Sequence, residues 1–441
     1  MIPKETGLKS LGLCLGWVAL TSMGAHAQDS AAVTAITTEV AGQTDTDSIG
    51  PWNLGELYQP PQYRWLSRQG AIHSLVYAGE PVLGQPTEVF AFYASPATLG
   101  ERSKDSKFPG VVLIHGGGGT AFAEWVWLWA KRGYAAIAMD LAGSRPPEPV
   151  YDEAGVPKAG LVSKPNSRTR LELGGLDHGP PEKFESIGGE TSDDWPYQAV
   201  ASVIRAHSWL RSFPEVQADR TAVTGISWGG YTTCLVASLD NRFRAAVPVY
   251  GCGFLFEGES VQKGAIDRLG PRRQAWIEAY DPSRWLSRCR VPILFVNGTN
   301  DQHYPLDSYQ RSFDLVPGFK QMRIEVQMRH SHPAGWAPAE IALFIDSYCQ
   351  DLPPLTLLDS PAVTGEEVRL SYRSPSPLRA AAVHFTSDGG PRTQRTWQSL
   401  PARIAEDQIV APRPPAGANT WFLSATDERG AMVTTSVQFH P

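Results

Sequence analysis

Ser227 sits in Gly225-Ile226-Ser227-Trp228-Gly229, with Gly230 next in the chain. An apolar, β-branched run (Thr221 to Ile226) precedes it and a helix-compatible segment (Tyr231 to Leu239) follows. That context predicts a sharp strand-to-helix turn. Such a turn strains the serine backbone and lifts Oγ above the sheet edge, at the positive end of a helix. Glycines are required beside it because a Cβ there would collide with the neighbouring strand or helix. Alone, the pattern also fits a plain glycine turn capped by Ser227, so the rest of the chain must decide. A serine hydroxyl is a poor nucleophile until a base removes its proton. A neutral imidazole does this near pH 7, and a carboxylate fixes its tautomer. The sequence offers His330 and His332 for the base and Asp301 for the acid. His330, nearer to the strand-like run Lys320–Met328, is favoured for a loop that must reach back over Ser227, with His332 the alternative. Asp307 is the weaker acid candidate and is expected to be an exposed helix residue.

The chemistry also needs donors for an oxyanion. His115-Gly-Gly-Gly-Gly119 follows directly on the buried-strand pattern Val111–Ile114. Consecutive glycines let backbone N–H groups point at an anion, and they carry an entropic cost that a mere connection would not need. Trp228 N–H and Gly117 N–H are the expected donors, with Gly116 or Gly118 able to replace Gly117.

Several elements must position these groups. Ala71–Ala78 and Glu88–Tyr93 alternate as strands of a hairpin. Val111–Ile114, a helix over Ala121–Arg132 and the strand Tyr134–Met139 form a parallel crossover. Trp125 and Trp129 share a helix face and are expected in the core. Ser192 or Asp193 is expected to cap the next helix, with Pro196 in its first turn. Phe243–Val249 and Pro292–Val296 read as further buried strands, and Pro338–Cys349 as a closing helix. Phe254–Leu286 reads as a helical excursion. Ser227, Asp301 and the histidines each follow a strand, so the strands' carboxyl ends should gather them. Residues 141–194 are rich in Gly, Pro and charge and are expected to border the site. Asp177 and His178 within them read as a lone surface pair.

Composition narrows the function classes. The 441 residues are 42% hydrophobic and 19% charged, with a formal net charge of −6. No basic block occurs, which argues against nucleic acid as a partner. Lys4, Lys9, the apolar run Leu11–Leu20 and Ala25-His26-Ala27 read as a signal peptide over residues 1–27, with no stable membrane insertion after cleavage. Cys14 invites a lipoprotein reading, but Leu13 stands where a small residue is needed. A secreted or periplasmic location is expected. The spacings of Cys234, Cys252, Cys289 and Cys349 match no zinc pattern, and no metal or other cofactor is expected. Disulfide pairing is left open. Residues 28–50 read as a disordered leader and 51–352 as an α/β domain with a mostly parallel sheet flanked by helices. Residues 353–441, with short alternating runs between turns, read as an immunoglobulin- or fibronectin-like β-sandwich. Trp397 and Trp421 are expected in its core rather than as tethers to substrate.

The segments His115–Thr120, Gly225–Tyr231, Pro248–Gly253, Asn297–Asp301 and His330–His332 resemble α/β-hydrolases of the secreted acetyl xylan esterase and dienelactone hydrolase-like group. Prolyl-oligopeptidase catalytic domains are more distant relatives. The resemblance spans roughly residues 52–350. It implies carboxylic ester hydrolysis through an acyl-enzyme, with Ser227, Asp301 and one of the two histidines at the triad positions. A small ester or acylated carbohydrate is the implied substrate, acetylated polysaccharide among them. Dienelactone hydrolases carry cysteine where Ser227 stands, so opening of a dienelactone ring is not implied. Arg329 stands where many relatives have glycine. The propeller that restricts prolyl oligopeptidases to peptides has no counterpart before residue 51. The oligomeric state is not legible.

Overall fold

The computed structural model describes residues 48–103, 105–158, 167–177 and 183–440. The chain divides into Met1–Asp45 and Thr46–Pro441, and every described residue belongs to the second unit. The signal peptide, Cys14 and His178 lie outside the described residues.

The strands are β1 (Tyr63–Ser67), β2 (His73–Ala78), β3 (Glu88–Ala94), β4 (Phe108–Ile114) and β5 (Ala135–Met139), with helix α1 (Ala123–Lys131) between the last two. Helix α2 (Trp195–Ser212), β6 (Val216–Ile226), α3 (Trp228–Leu239), β7 (Ala245–Val249), β8 (Ile293–Gly298), α4 (Leu306–Leu315), β9 (Lys320–Glu325) and α5 (Ala339–Cys349) follow. The run β5-β4-β6-β7-β8-β9 is parallel throughout. Strands β3, β2 and β1 extend it antiparallel on one side. Every residue of β4, β5 and β7 is buried, which is why these strands read as unbroken apolar runs rather than alternating ones. Trp125 and Trp129 are buried together on α1, as their spacing required.

The structure corrects several local expectations. Residues 51–66 do not simply wrap the surface: β1 adds an edge strand, with Trp65 packed edge-on against Tyr93 and Trp209. Helix α2 is entered from Asp194 rather than Ser192 or Asp193, and the Asp194 carboxylate accepts from Ser186 and Tyr280 instead of capping the helix. Strand β9 stops at Glu325, short of Met328, because Gln327 turns the chain with a φ of 57°. Residues 254–286 hold short helices and 3-10 turns.

The C-terminal part contains β10 (Glu367–Arg373), β11 (Leu378–Thr386), β12 (Gln398–Pro401), β13 (Gln408–Pro412), β14 (Thr420–Asp427) and β15 (Met432–Thr434). Strands β10 and β13 pair in one sheet, while β12-β11-β14-β15 form the other. Val368, Leu370, Ile409 and Ala411 of the first face Val383, Phe385, Trp421 and Leu423 of the second in a core of their own. Trp421 is buried there, and Trp397 packs half-buried against Phe422. The second sheet is continuous with the central one, since β15 pairs with β9 through Met322 and Thr434. The pairing covers what would otherwise be an open strand edge.

All four cysteines of the described residues are buried free thiols. Burial pushes the Cys289 and Cys349 thiols up to about 12, which makes them inert packing groups. No described helix is long and apolar enough to cross a membrane, and no cluster of metal-ligating side chains occurs among the described residues.

Candidate active site

Ser227 has φ 60° and ψ −116°, a conformation that L-residues seldom adopt. The neighbouring backbone holds it there. Ser227 N–H donates to Val249 O (2.8 Å), and Ser227 O accepts from Tyr231 N–H (2.9 Å). A Cβ added at Gly225 would lie 2.2 Å from Gly229 O, and one at Gly229 would lie 2.1 Å from Ile114 O. Only glycine at both positions lets β4, β6 and α3 approach closely enough to form this turn.

His330 Nε2 lies 2.9 Å from Ser227 Oγ, and His330 Nδ1 lies 2.5 Å from Asp301 Oδ2. The network assigns the tautomer: Nδ1–H donates to the carboxylate, and Nε2 accepts the serine proton. Asp301 Oδ1 accepts from the N–H groups of His303 and Tyr304, each at 2.8 Å. The acid is fully buried, whereas a quarter of the His330 side chain (24%) is open to solvent. The Tyr250 ring stacks on His330 at 4.5 Å, and its hydroxyl donates to Arg329 O (2.6 Å). Tyr250 itself is held at φ 55°. His303 tilts against His330 at 4.6 Å and accepts from Gln262. Burial, then the like charge of His330, pulls His303 below the ordinary imidazole range.

His332 takes a different position. Its Nε2 accepts from Gly116 N–H (2.9 Å), and its ring packs on Phe122. Gly116 N–H is therefore committed to His332. Gly117 N–H has no backbone partner among the described residues. Trp228 opens α3, so its N–H has no carbonyl one turn back to donate to. Gly118, at φ 72°, turns the loop, and Gly119 N–H closes it on Gly116 O. His115 anchors the loop from below: Nδ1 donates to Gly116 O (2.7 Å), and Nε2 accepts from Leu141 N–H (2.9 Å). Burial lowers its pKa to about 3, so it stays neutral and keeps both bonds. Asp307 forms an ion pair with Arg392 of the C-terminal part (3.3 Å), away from the His330 contact.

A profile of the dienelactone hydrolase family matches residues 96–333. The chain belongs to the dienelactone hydrolase family. It is similar to the uncharacterized peptidase YuxL of Bacillus subtilis (strain 168), at 24% identity over 226 residues, 47% of this chain. The match spans 28% of that relative's length. Among solved structures, an acetyl xylan esterase from Paenibacillus sp. R4 is 22% identical, covering 67% of this chain and 92% of that one with a TM-score of 0.48. Acylaminoacyl peptidase of Pyrococcus horikoshii is 16% identical, covering 63% and 42% of the two chains with a TM-score of 0.43. This member of the family is an α/β-hydrolase with an appended β-sandwich.

The stretch 141–194, expected from its composition to border the site, supplies contacts there that no single residue within it announces. The irregular stretch before α2 places Phe184 edge-on to Trp228 at 6.3 Å and Lys183 over the same indole at 5.3 Å. Arg168 donates to Gly119 O (2.6 Å) from the same stretch. The C-terminal part reaches the acid's loop: Asn300 donates to the carbonyls of Thr393 (3.1 Å) and Arg395 (2.9 Å). Nothing in the spacing of these residues signals such contacts, because they join segments far apart in the chain.

Proposed function

We propose that the protein is an exported serine esterase that cleaves small acyl esters through an acyl-enzyme, with acetylated polysaccharide a candidate substrate. The observation that carries this reading is His330, bonded at once to Asp301 and to Ser227 Oγ. In it, Ser227 Oγ attacks the carbonyl carbon as His330 Nε2 takes its proton. The oxyanion is received by Trp228 N–H and Gly117 N–H, each worth about 3–4 kcal/mol of barrier. His330 then protonates the leaving alcohol oxygen, and water repeats the sequence on the acyl-enzyme. Asp301 keeps the imidazole oriented and stabilises its charged form. The Trp228 indole lies against Gly117, where a Cβ would come within 3.0 Å of it, and this crowding beside the expected oxyanion donor supports a small acyl group. Lys4, Lys9, Leu11–Leu20 and Ala25-His26-Ala27 support export.

The description of the Bacillus relative as a peptidase motivates a second reading, amide cleavage by the same residues. Both are tested together. Wild type and Ser227→Ala are assayed on p-nitrophenyl acetate, longer acyl esters, acetylated xylan and unactivated peptides. The esterase reading expects ester turnover that vanishes in Ser227→Ala while the fold is retained. Turnover unchanged in that variant sinks it, and cleavage of peptides in preference to esters selects the alternative.

A further inference from the structure

Tyr304 shares the turn that carries Asp301. Its N–H donates to Asp301 Oδ1 (2.8 Å), and its carbonyl accepts from Asn297 Nδ2 (2.9 Å). The backbone thus fixes the residue. Its ring is wholly buried and lies parallel to His330, with centroids 6.2 Å apart and planes at 7°. Yet the Tyr304 hydroxyl, itself buried, has no hydrogen-bond partner among the described residues. Buried hydroxyls in folded proteins are paired as a rule, so an orphan at a reaction centre calls for a role. The ring that Tyr304 stacks along, His330, meets Ser227 Oγ at 2.9 Å, and the Ser227 side chain is among the groups that act on the Tyr304 hydroxyl. Burial holds the phenol far above its ordinary range, so it keeps its proton and is a donor at every working pH. Such bonds are often long or misaligned before substrate binds and tighten during reaction.

We propose that the Tyr304 hydroxyl is a catalytic hydrogen-bond donor to Ser227 Oγ, completed only while charge builds on that oxygen. The proposal rests on the esterase reading. In acylation, Oγ passes its proton to His330 Nε2 and forms the bond to the carbonyl carbon, while Tyr304 O–H donates to an Oγ lone pair. In deacylation, water bonds to the acyl carbon and gives a proton to His330. The carbon–Oγ bond then breaks, its electron pair moves to Oγ, and Oγ regains a proton from His330 Nε2. Tyr304 keeps its own proton throughout. The departing Oγ carries the most charge in this last step, so deacylation is where the donor matters most.

The test is Tyr304→Phe beside wild type and Ser227→Ala, with active sites titrated by a fluorophosphonate probe so that kcat refers to folded enzyme. On p-nitrophenyl acetate, kcat should fall roughly ten- to a hundredfold. KM should fall with it, and a burst of p-nitrophenol should appear as acyl-enzyme accumulates. The thermal midpoint should not drop, since the lost hydroxyl had no partner. A kcat within twofold of wild type and no burst overturns the proposal alone. If wild type shows no hydrolysis that depends on Ser227, the esterase reading and the proposal fall together.

Discussion

Two rows of carboxylate, imidazole and hydroxyl run through this molecule. In one, His330 bridges Asp301 and Ser227 at 2.5 and 2.9 Å. In the other, His207 bridges Asp240 and Thr221 at 2.7 and 2.8 Å. Their atoms correspond, Nδ1 to acid and Nε2 to hydroxyl, yet their surroundings are opposite. His207 is sealed from solvent and stacked on Phe243 at 3.7 Å. Asp240 is also gripped by Arg242, through Nε (2.8 Å) and Nη2 (2.7 Å). Thr221 lies inside β6, with no strained turn to lift its hydroxyl and no helix starting above it. A hydrogen-bonded row is therefore no evidence of chemistry by itself. Access for substrate, a lifted nucleophile and free donors for an oxyanion distinguish the Ser227 row.

Paired substitutions break the comparison most sharply. His330→Ala should lower kcat at least about ten-thousandfold, because Ser227 loses its base. Its unfolding free energy should fall by only about 1–2 kcal/mol, since the ring is part exposed, water can reach the Asp301 oxygen it leaves, and Asp301 keeps its two N–H donors. His207→Ala should reverse the pattern. It leaves a cavity and strips partners from Thr221 and Asp240, which should cost about 3 kcal/mol while kcat is retained. Urea titration and ester kinetics on both variants decide. If His207→Ala lost activity as severely as His330→Ala in fully folded protein, the two rows would not differ as argued.

Acid sharpens the contrast next. Burial lowers both His207 and His115, the latter to about 3. The unfolded chain takes up these protons near the ordinary imidazole pKa of about 6.5, while the native state resists. Their contribution is thus intact above pH 6.5. It is lost as pH falls toward the native value, at roughly 1.4 kcal/mol per pH unit for each histidine in the window between its two pKa values. For His115 that window reaches down to about 3. Urea midpoints at pH 7, 6, 5 and 4 should fall steadily. In His207→Leu the slope above the His207 native pKa should be shallower. A slope equal to wild type would mean that His207 is already protonated in the native state.

Much of this organisation is legible in the sequence, and the exceptions share a cause. The turn at Ser227 is readable because its demands are local: glycines where β4, β6 and α3 nearly touch. The parallel core is readable because its strands are covered on both faces. Choosing between His330 and His332 by distance from a strand is less secure. The strand ends at Glu325, and the Gln327 turn sets the loop's path. What brings His330 over Ser227 is a tertiary fit, including Tyr250 beneath it. Likewise, no local pattern announces that β15 joins β9 or that Asn300 is held by the C-terminal part. Pairings between remote segments depend on the folded whole.

Tyr250 offers the finest comparison between the rows, because each histidine has an aromatic ring against it. Phe243 stacks on His207 without a polar group, whereas Tyr250 adds a hydroxyl bonded to Arg329 O (2.6 Å). That bond ties down the residue immediately before His330, on a loop that is otherwise part exposed. Tyr250→Phe keeps the stack and removes only the tie. If the tie positions His330, kcat should fall about fivefold, the equivalent of one ordinary hydrogen bond near 1 kcal/mol, with KM unchanged. Phe243→Leu, which loosens the stack on His207, should weaken the fold by about 1 kcal/mol and leave kcat alone. Equal kcat in Tyr250→Phe and wild type would show that ring stacking and the Asp301 bond suffice to aim His330. The hydroxyl would then resemble Phe243 in serving the fold alone.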